Sequence, residues 1–243
     1  MEWHDEAFVL SARTHGESGA IVELLTLTHG RFAGHVAGGA SRRMKPYLQP
    51  GARVLAQYRA RTHEQLGTIQ LEPVGEGPSA LFDDALALNG LSAATAVAQG
   101  ALPEREPHAG AFYALEALIA ALAVEAIWPA VFVRYEAGLL EELGFGLDLS
   151  RCAATGSRDD LVYVSPKSGR AVSRAAGEPY KDRLLRLPPF LLSAQGGLAD
   201  GDVADGLILT GKFLEQFVFA PLNKPLPPAR VWLIERLGQA GRL

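Results

Sequence analysis

Seven fixed positive charges stand in one stretch of this chain with no carboxylate among them: Arg31, Arg42, Arg43, Lys45, Arg53, Arg59 and Arg61, all between Glu23 and Glu64. His29, His35 and His63 stand beside them. The whole chain has a formal net charge of −4, so this is a basic island in an acidic protein, and an anionic ligand is the natural reason for it. Lys and Arg neutralise phosphates and release counterions without reading any base. Tyr47 and Tyr58 lie in the same stretch and offer rings on which a base stacks. The competing reading is a solvated basic face with no partner, which is what most charge runs are.

Bond-making chemistry has much less support. No GxxxxGK[ST] occurs, and the glycines of residues 30–39 do not form GxGxxG. HExxH and GxSxG are absent, and Glu141-Glu142 and Asp159-Asp160 are adjacent rather than convergent. The histidines are scattered. Cys152 is the one cysteine, so no disulfide forms within the chain and no thiolate zinc site is built from it alone. A binding protein is favoured over an enzyme. The first residues, MEWHDEAFVL, lack the basic start and apolar run of a signal peptide. The most apolar window, residues 109–126, is interrupted by Tyr113, Glu116 and Glu125. The expectation is a soluble, cytoplasmic protein with no membrane partner.

The elements that must position the island are short strands. Residues 6–14 and 19–28 are rich in Val, Leu and Ile and end at His15-Gly16 and His29-Gly30. Residues 31–36 alternate with period two until Gly38-Gly39. Residues 53–61 alternate again, with Val54, Ala56, Tyr58 and Ala60 on one face and Arg53, Leu55, Gln57, Arg59 and Arg61 on the other. Residues 65–73 make a fifth strand. Ser41 to Lys45 is then a basic loop between two strands, bounded by Gly39, Pro46 and Pro50. Five strands with glycine turns predict a small barrel, of which the oligonucleotide-binding OB-fold is one form; an SH3-like barrel has much the same signature.

After a linker at residues 75–79 the period becomes helical. Residues 81–99 read as one helix. Phe112, Leu115, Ile119 and Leu122 mark a second, and Trp128, Phe132, Tyr135, Leu139 and Leu143 a third, with Pro129 in its first turn and Gly144 at its end. These stripes are core. Arg134 sits beside Tyr135 and can either receive an acidic, aromatic peptide tail or pair with acidic neighbours on its own helix. Residues 161–164 and 170–172 read as a strand pair about a Ser-Pro-Lys-Ser-Gly turn, residues 203–220 as a helix, and Pro227-Pro228 opens a last one.

The run R-Y-E-x-x-L-L-x-x-L-G-F-x-L-D-L-x-x-C from Arg134 to Cys152, followed by YVSPKSGRAVS and preceded by HGRFAGHVAGGASRR, resembles the RecO family of bacterial DNA repair proteins. The resemblance covers essentially the whole chain. It implies an N-terminal OB-fold, a central helical region and, in many members, a four-cysteine zinc element. It also implies binding of single- and double-stranded DNA, strand annealing, and help in loading recombinase onto strands covered by single-strand-binding protein (SSB). RecR and the acidic C-terminal tail of SSB are the implied partners, and Arg134 matches the family's basic residue at the groove for that tail. This chain departs from the zinc-bearing pattern. CxxC pairs would span Cys152 and Thr155, and Ser173 and Ala176, and only Cys152 is present. No zinc or other cofactor is therefore expected.

The combined expectation is an α+β chain. An OB-fold DNA-binding domain spans 1–78, a helical bundle 79–147, a zinc-finger-like element without its cysteines 148–180, and C-terminal helices packing on the helical domain 181–243. The expected DNA-binding residues are Arg31, His35, Arg42, Arg43, Lys45, Arg53, Tyr58, Arg59 and Arg61. The implied function is a non-enzymatic recombination mediator, cytoplasmic and nucleoid-associated. The alternative is an adaptor whose basic barrel binds an acidic protein.

Overall fold

The computed structural model describes the chain apart from residues 63, 64, 76, 82 and 194, and of Ser79 and Ala80 only the backbone. His63 of the basic stretch and Glu76 of the linker lie outside the described residues. Two compact units are present, Met1–Ala123 and Val124–Leu243.

The first unit is built on a closed barrel of β1 (Glu2–His15), β2 (Gly19–Thr26), β3 (Gly30–Val36), β4 (Arg53–Arg59) and β5 (Gly67–Pro73), ordered β1-β2-β3-β5-β4. β1 pairs antiparallel with both β2 and β4, and a short parallel pairing of β3 with β5 closes the ring. This is the OB-fold arrangement. Period-two alternation puts Ala7, Val9, Val22, Leu24, Phe32, Val54, Ala56, Tyr58 and Ile69 inside. A register shift between Val9 and Ser11 changes which residues of β1 face inward, and Ala7 to Leu10 are buried in succession. Phe8 packs outward against Phe112, with ring centroids 4.8 Å apart.

Two glycines allow closures that no other residue would. Gly30 turns at φ +74, and a Cβ there would fall 1.8 Å from the carbonyl oxygen of Glu106. A Cβ on Gly67 would fall 2.3 Å from the Tyr58 ring.

Helices α1 (Ala85–Ala101) and α2 (Ala109–Ala121) complete this unit. The Asp84 carboxylate caps α1 by accepting from the N–H groups of Leu86 and Ala87 at 2.9 Å each.

The second unit holds α3 (Trp128–Glu142), then a three-stranded sheet of β6 (Leu161–Val164), β7 (Ala171–Ser173) and β8 (Leu185–Arg186), ordered β7-β6-β8. One-turn helices α4 (Arg174–Gly177) and α5 (Pro189–Leu192) precede α6 (Asp202–Phe213) and α7 (Pro228–Gln239). A π-helical turn, Leu214–Phe219, continues α6 where the sequence predicts a plain helix through residue 220. The unit boundary falls inside the stretch 79–147 that the sequence groups as one bundle. The physical reason lies in the packing. α1 leans on β1, where Gln99 Nε2 donates to Ser11 Oγ at 3.1 Å, whereas α3 is fastened to α6 and α7 by a buried ion pair. Among the described residues no helix is long and apolar enough to cross a membrane.

The stretch 148–180, expected as a zinc-finger-like element without its cysteines, holds β6 and β7 beside a buried thiol. Cys152 is buried and its Sγ accepts from Ser173 N–H at 3.3 Å and Ser173 Oγ at 3.4 Å. Burial pushes the thiol up, and hydrogen bonds from Ser173 and Thr155 more than offset this, bringing it down to about 6. The positions that could hold zinc carry Thr155, Ser173 and Ala176, and no cluster of three or more metal-ligating side chains occurs among the described residues. The residues do not fit a zinc ion.

Candidate nucleic-acid interface

Six of the seven cations of the basic stretch divide into two groups once the barrel is closed, and Arg61 belongs to neither. Arg31 lies on β3 with its side chain 15% exposed. Its Nη1 donates to Glu23 at 2.6 Å, its Nε to the Leu102 carbonyl at 2.9 Å, and its Nη2 lies 3.4 Å from Glu104. On β4, Arg53 donates through Nε to Glu6 at 3.1 Å and through Nη1 to Glu116 at 2.6 Å, and its guanidinium lies over the Phe8 ring. Arg59 donates to Glu2 at 2.8 Å in an exposed pair. β1 thus supplies Glu2 and Glu6 to the arginines of β4 through the register that sets Glu2 opposite Arg59 and Glu6 opposite Leu55. Arg31 and Arg53 bind the unit's own carboxylates; Arg59 keeps an exposed guanidinium.

Arg42, Arg43 and Lys45 form the other group. All three are exposed, and none has an ion-pair partner among the described residues. They lie on a folded loop. Ser41 N–H donates to Gly38 and Met44 N–H to Ser41, and a 3-10 turn, Lys45–Leu48, follows with Pro46 in its first turn. Leu48, 7% exposed, belongs to the barrel core and anchors this loop. Arg61 is exposed beside a cavity of about 610 Å³ that it shares with Met1, Glu2, Arg59 and Thr68. His35 is half-buried, with its ring 5.9 Å from that of His15 in edge contact.

Tyr58 is a correction. It is 1% exposed, stacked on Trp3 with centroids 5.0 Å apart and edge-on to Phe32 at 5.2 Å. A base cannot reach this ring in the folded barrel. Its alternation with Val54 and Ala56 is the signal that places it inside. Tyr47, on the loop, keeps 36% of its surface exposed. Sequence reasoning missed Arg13. It lies outside the carboxylate-free stretch, at the end of β1, yet lines a groove together with Lys45.

One ionisable group on β1, packed against the β2–β3 turn, is tuned by its neighbours. Burial pushes the Asp5 carboxyl up, but His29 Nδ1 at 3.0 Å, Thr28 N–H at 2.7 Å and Thr28 Oγ at 2.9 Å outweigh it and hold the carboxyl below its ordinary range. The His29 ring stacks on Trp3, with centroids 4.5 Å apart.

The second unit carries the other expected site residue. Arg134 donates to the Phe190 carbonyl through Nε at 2.9 Å and again through Nη2, which also reaches the Ser193 carbonyl at 2.7 Å. Carbonyls orient the guanidinium without neutralising it. It lines a cavity of about 470 Å³ with Leu147, Leu149, Leu191 and Leu192, and Glu141 forms part of the wall.

Comparison with known proteins agrees with this architecture. The family model described as "Recombination protein O N terminal" matches residues 1–75, and "Recombination protein O C terminal" matches residues 83–225. The DNA repair protein RecO of Caulobacter sp. (strain K31) is 75% identical over 243 residues, 100% of both chains. That of Phenylobacterium zucineum (strain HLK1) is 74% identical over the same full lengths. The RecO of Rhodospirillum centenum (strain ATCC 51521 / SW) is 53% identical over 242 residues, 99% of this chain and 96% of its own. With an OB-fold barrel, a helical second unit and full-length identity of this order, the chain belongs to the recombination protein O family.

Proposed function

We propose that this protein is a non-enzymatic DNA-binding mediator of recombinational repair, of the RecF type. It binds single- and double-stranded DNA, anneals complementary strands and helps recombinase load onto SSB-coated single strands. One observation carries the reading. Arg42, Arg43 and Lys45 stand exposed and, among the described residues, without ion-pair partners on a loop fixed to an OB-fold barrel, while Glu23, Glu6 and Glu2 are engaged with Arg31, Arg53 and Arg59. A fixed cluster of cations tracks a phosphate backbone at little ordering cost. Annealing follows from screening two polyanions on one surface, with no bond made or broken.

The cavity at Arg134 suits the acidic tail of SSB: leucines meet its apolar residues, and the guanidinium meets its carboxylate at the end away from Glu141. RecR is the further partner, proposed on family membership. The test is the triple variant Arg42→Ala, Arg43→Ala, Lys45→Ala in a salt titration of oligonucleotide binding. Each single-strand phosphate contact contributes about 0.7 to the log–log slope, so the slope should shrink by about two. A slope equal to that of the wild type would remove this loop from the interface.

A further inference from the structure

A groove of about 400 Å³ opens beside the basic loop, where the end of β1 passes the 3-10 turn, Lys45–Leu48. Its size falls in the range of about 300–1,000 Å³ that holds small planar ligands. Its lining combines an apolar floor with cations. Ala20 and Leu48 are 3% and 7% exposed. Gly39 brings the loop so close to β2 that a Cβ there would fall 2.6 Å from the Ala20 Cβ. Arg13 enters from β1 and Lys45 from the turn; both are exposed and neither has an ion-pair partner among the described residues.

Two polar groups in the lining have hydrogen-bonding capacity left. Ser11 Oγ accepts from Gln99 Nε2 at 3.1 Å, which leaves its own O–H to donate. Gln49 donates through Nε2 to the Lys45 carbonyl at 3.1 Å, which leaves its amide oxygen to accept. An apolar floor with a donor, an acceptor and flanking cations is the chemistry of a nucleotide: the ring is desolvated, its edge hydrogen-bonded and its phosphate held outside.

We infer that this groove is a subsite for one unstacked nucleobase of single-stranded DNA, an inference that rests on the DNA-binding reading above. A duplex keeps its bases paired and stacked and reaches only the cations at the rim. A single strand can turn a base in. The groove therefore adds affinity for single strands beyond what phosphate contacts give.

The experiment compares the full-length protein binding a labelled mixed-sequence oligonucleotide with its binding an abasic oligomer of equal phosphate number, by anisotropy at one salt concentration. The intact oligonucleotide should bind about tenfold more tightly, the order expected of burying one ring against apolar side chains. Ala12→Leu, which fills the groove without altering charge, should bring the two affinities together. Equal affinities for the two oligomers in the wild type would overturn the subsite while leaving DNA binding intact. Absence of binding to either would overturn the DNA-binding reading itself, and the subsite with it. Should Ala12→Leu fail to fold by thermal melting, 2-aminopurine fluorescence in the wild-type complex decides. A change in emission, with no change for 2-aminopurine in a bound duplex, supports the subsite; identical signals from strand and duplex overturn it.

Discussion

Arg31 and Arg42 belong to the same basic stretch and do different work. Arg31 is turned into a pocket of carboxylates and a carbonyl, whereas Arg42 stands in solvent. Replacing Arg31 with Ala strips partners from Glu23 and Leu102 in a partly buried place, at a cost of about 1–3 kcal/mol. A lowered melting temperature with the salt dependence of DNA binding preserved is the expected phenotype. Arg42→Ala should do the reverse, and a weakened salt slope in Arg31→Ala would contradict this division. Apart from Glu23 at its border, the neutralising carboxylates were not legible from the stretch itself. Glu2, Glu6, Glu104 and Glu116 lie far from it in sequence, and only strand register and helix docking bring them in. Tyr58 was legible, since its alternation with Val54 and Ala56 already assigns it to the apolar face.

At the scale of elements, period two was enough to find β3, β4 and β5, because each alternates between the two faces of the barrel wall. It fell short on β1, whose register shift and helix-covered outer face bury Ala7 to Leu10 in succession. The π-helical turn after α6 has no pattern of its own, because Leu214, Phe217 and Val218 fit an α-helical stripe equally well. What ties the second unit together was also hidden. Glu136 on α3 is fully buried and accepts from Arg230 Nε at 2.6 Å, Arg230 Nη2 at 2.9 Å and Thr210 Oγ at 2.6 Å. A Cβ on Gly211 of α6 would fall 2.9 Å from that guanidinium, so the glycine makes room for it. Glu136→Ala leaves Arg230 buried and uncompensated and should cost about 3–5 kcal/mol in denaturant unfolding. Glu136→Leu combined with Arg230→Met should recover most of that loss. A single variant as stable as the wild type would show that the pair does not fasten α3 to α6 and α7.

At the scale of the whole molecule, an acidic chain presents an exposed basic loop on its N-terminal unit and an arginine-marked, leucine-lined cavity on its C-terminal unit. With an overall negative charge, the DNA binding proposed above would depend on local cations rather than on the protein's general field, which favours a modest, sharply salt-dependent affinity. The most direct measurement is anisotropy of a labelled mixed-sequence single-stranded oligonucleotide against full-length wild-type protein over a range of salt concentrations. The four open cations of the loop and its groove, Arg13, Arg42, Arg43 and Lys45, predict tolerance of sequence and a log–log slope of about −3. A salt-independent affinity, or no binding at low salt, would contradict the assignment of DNA recognition to this barrel.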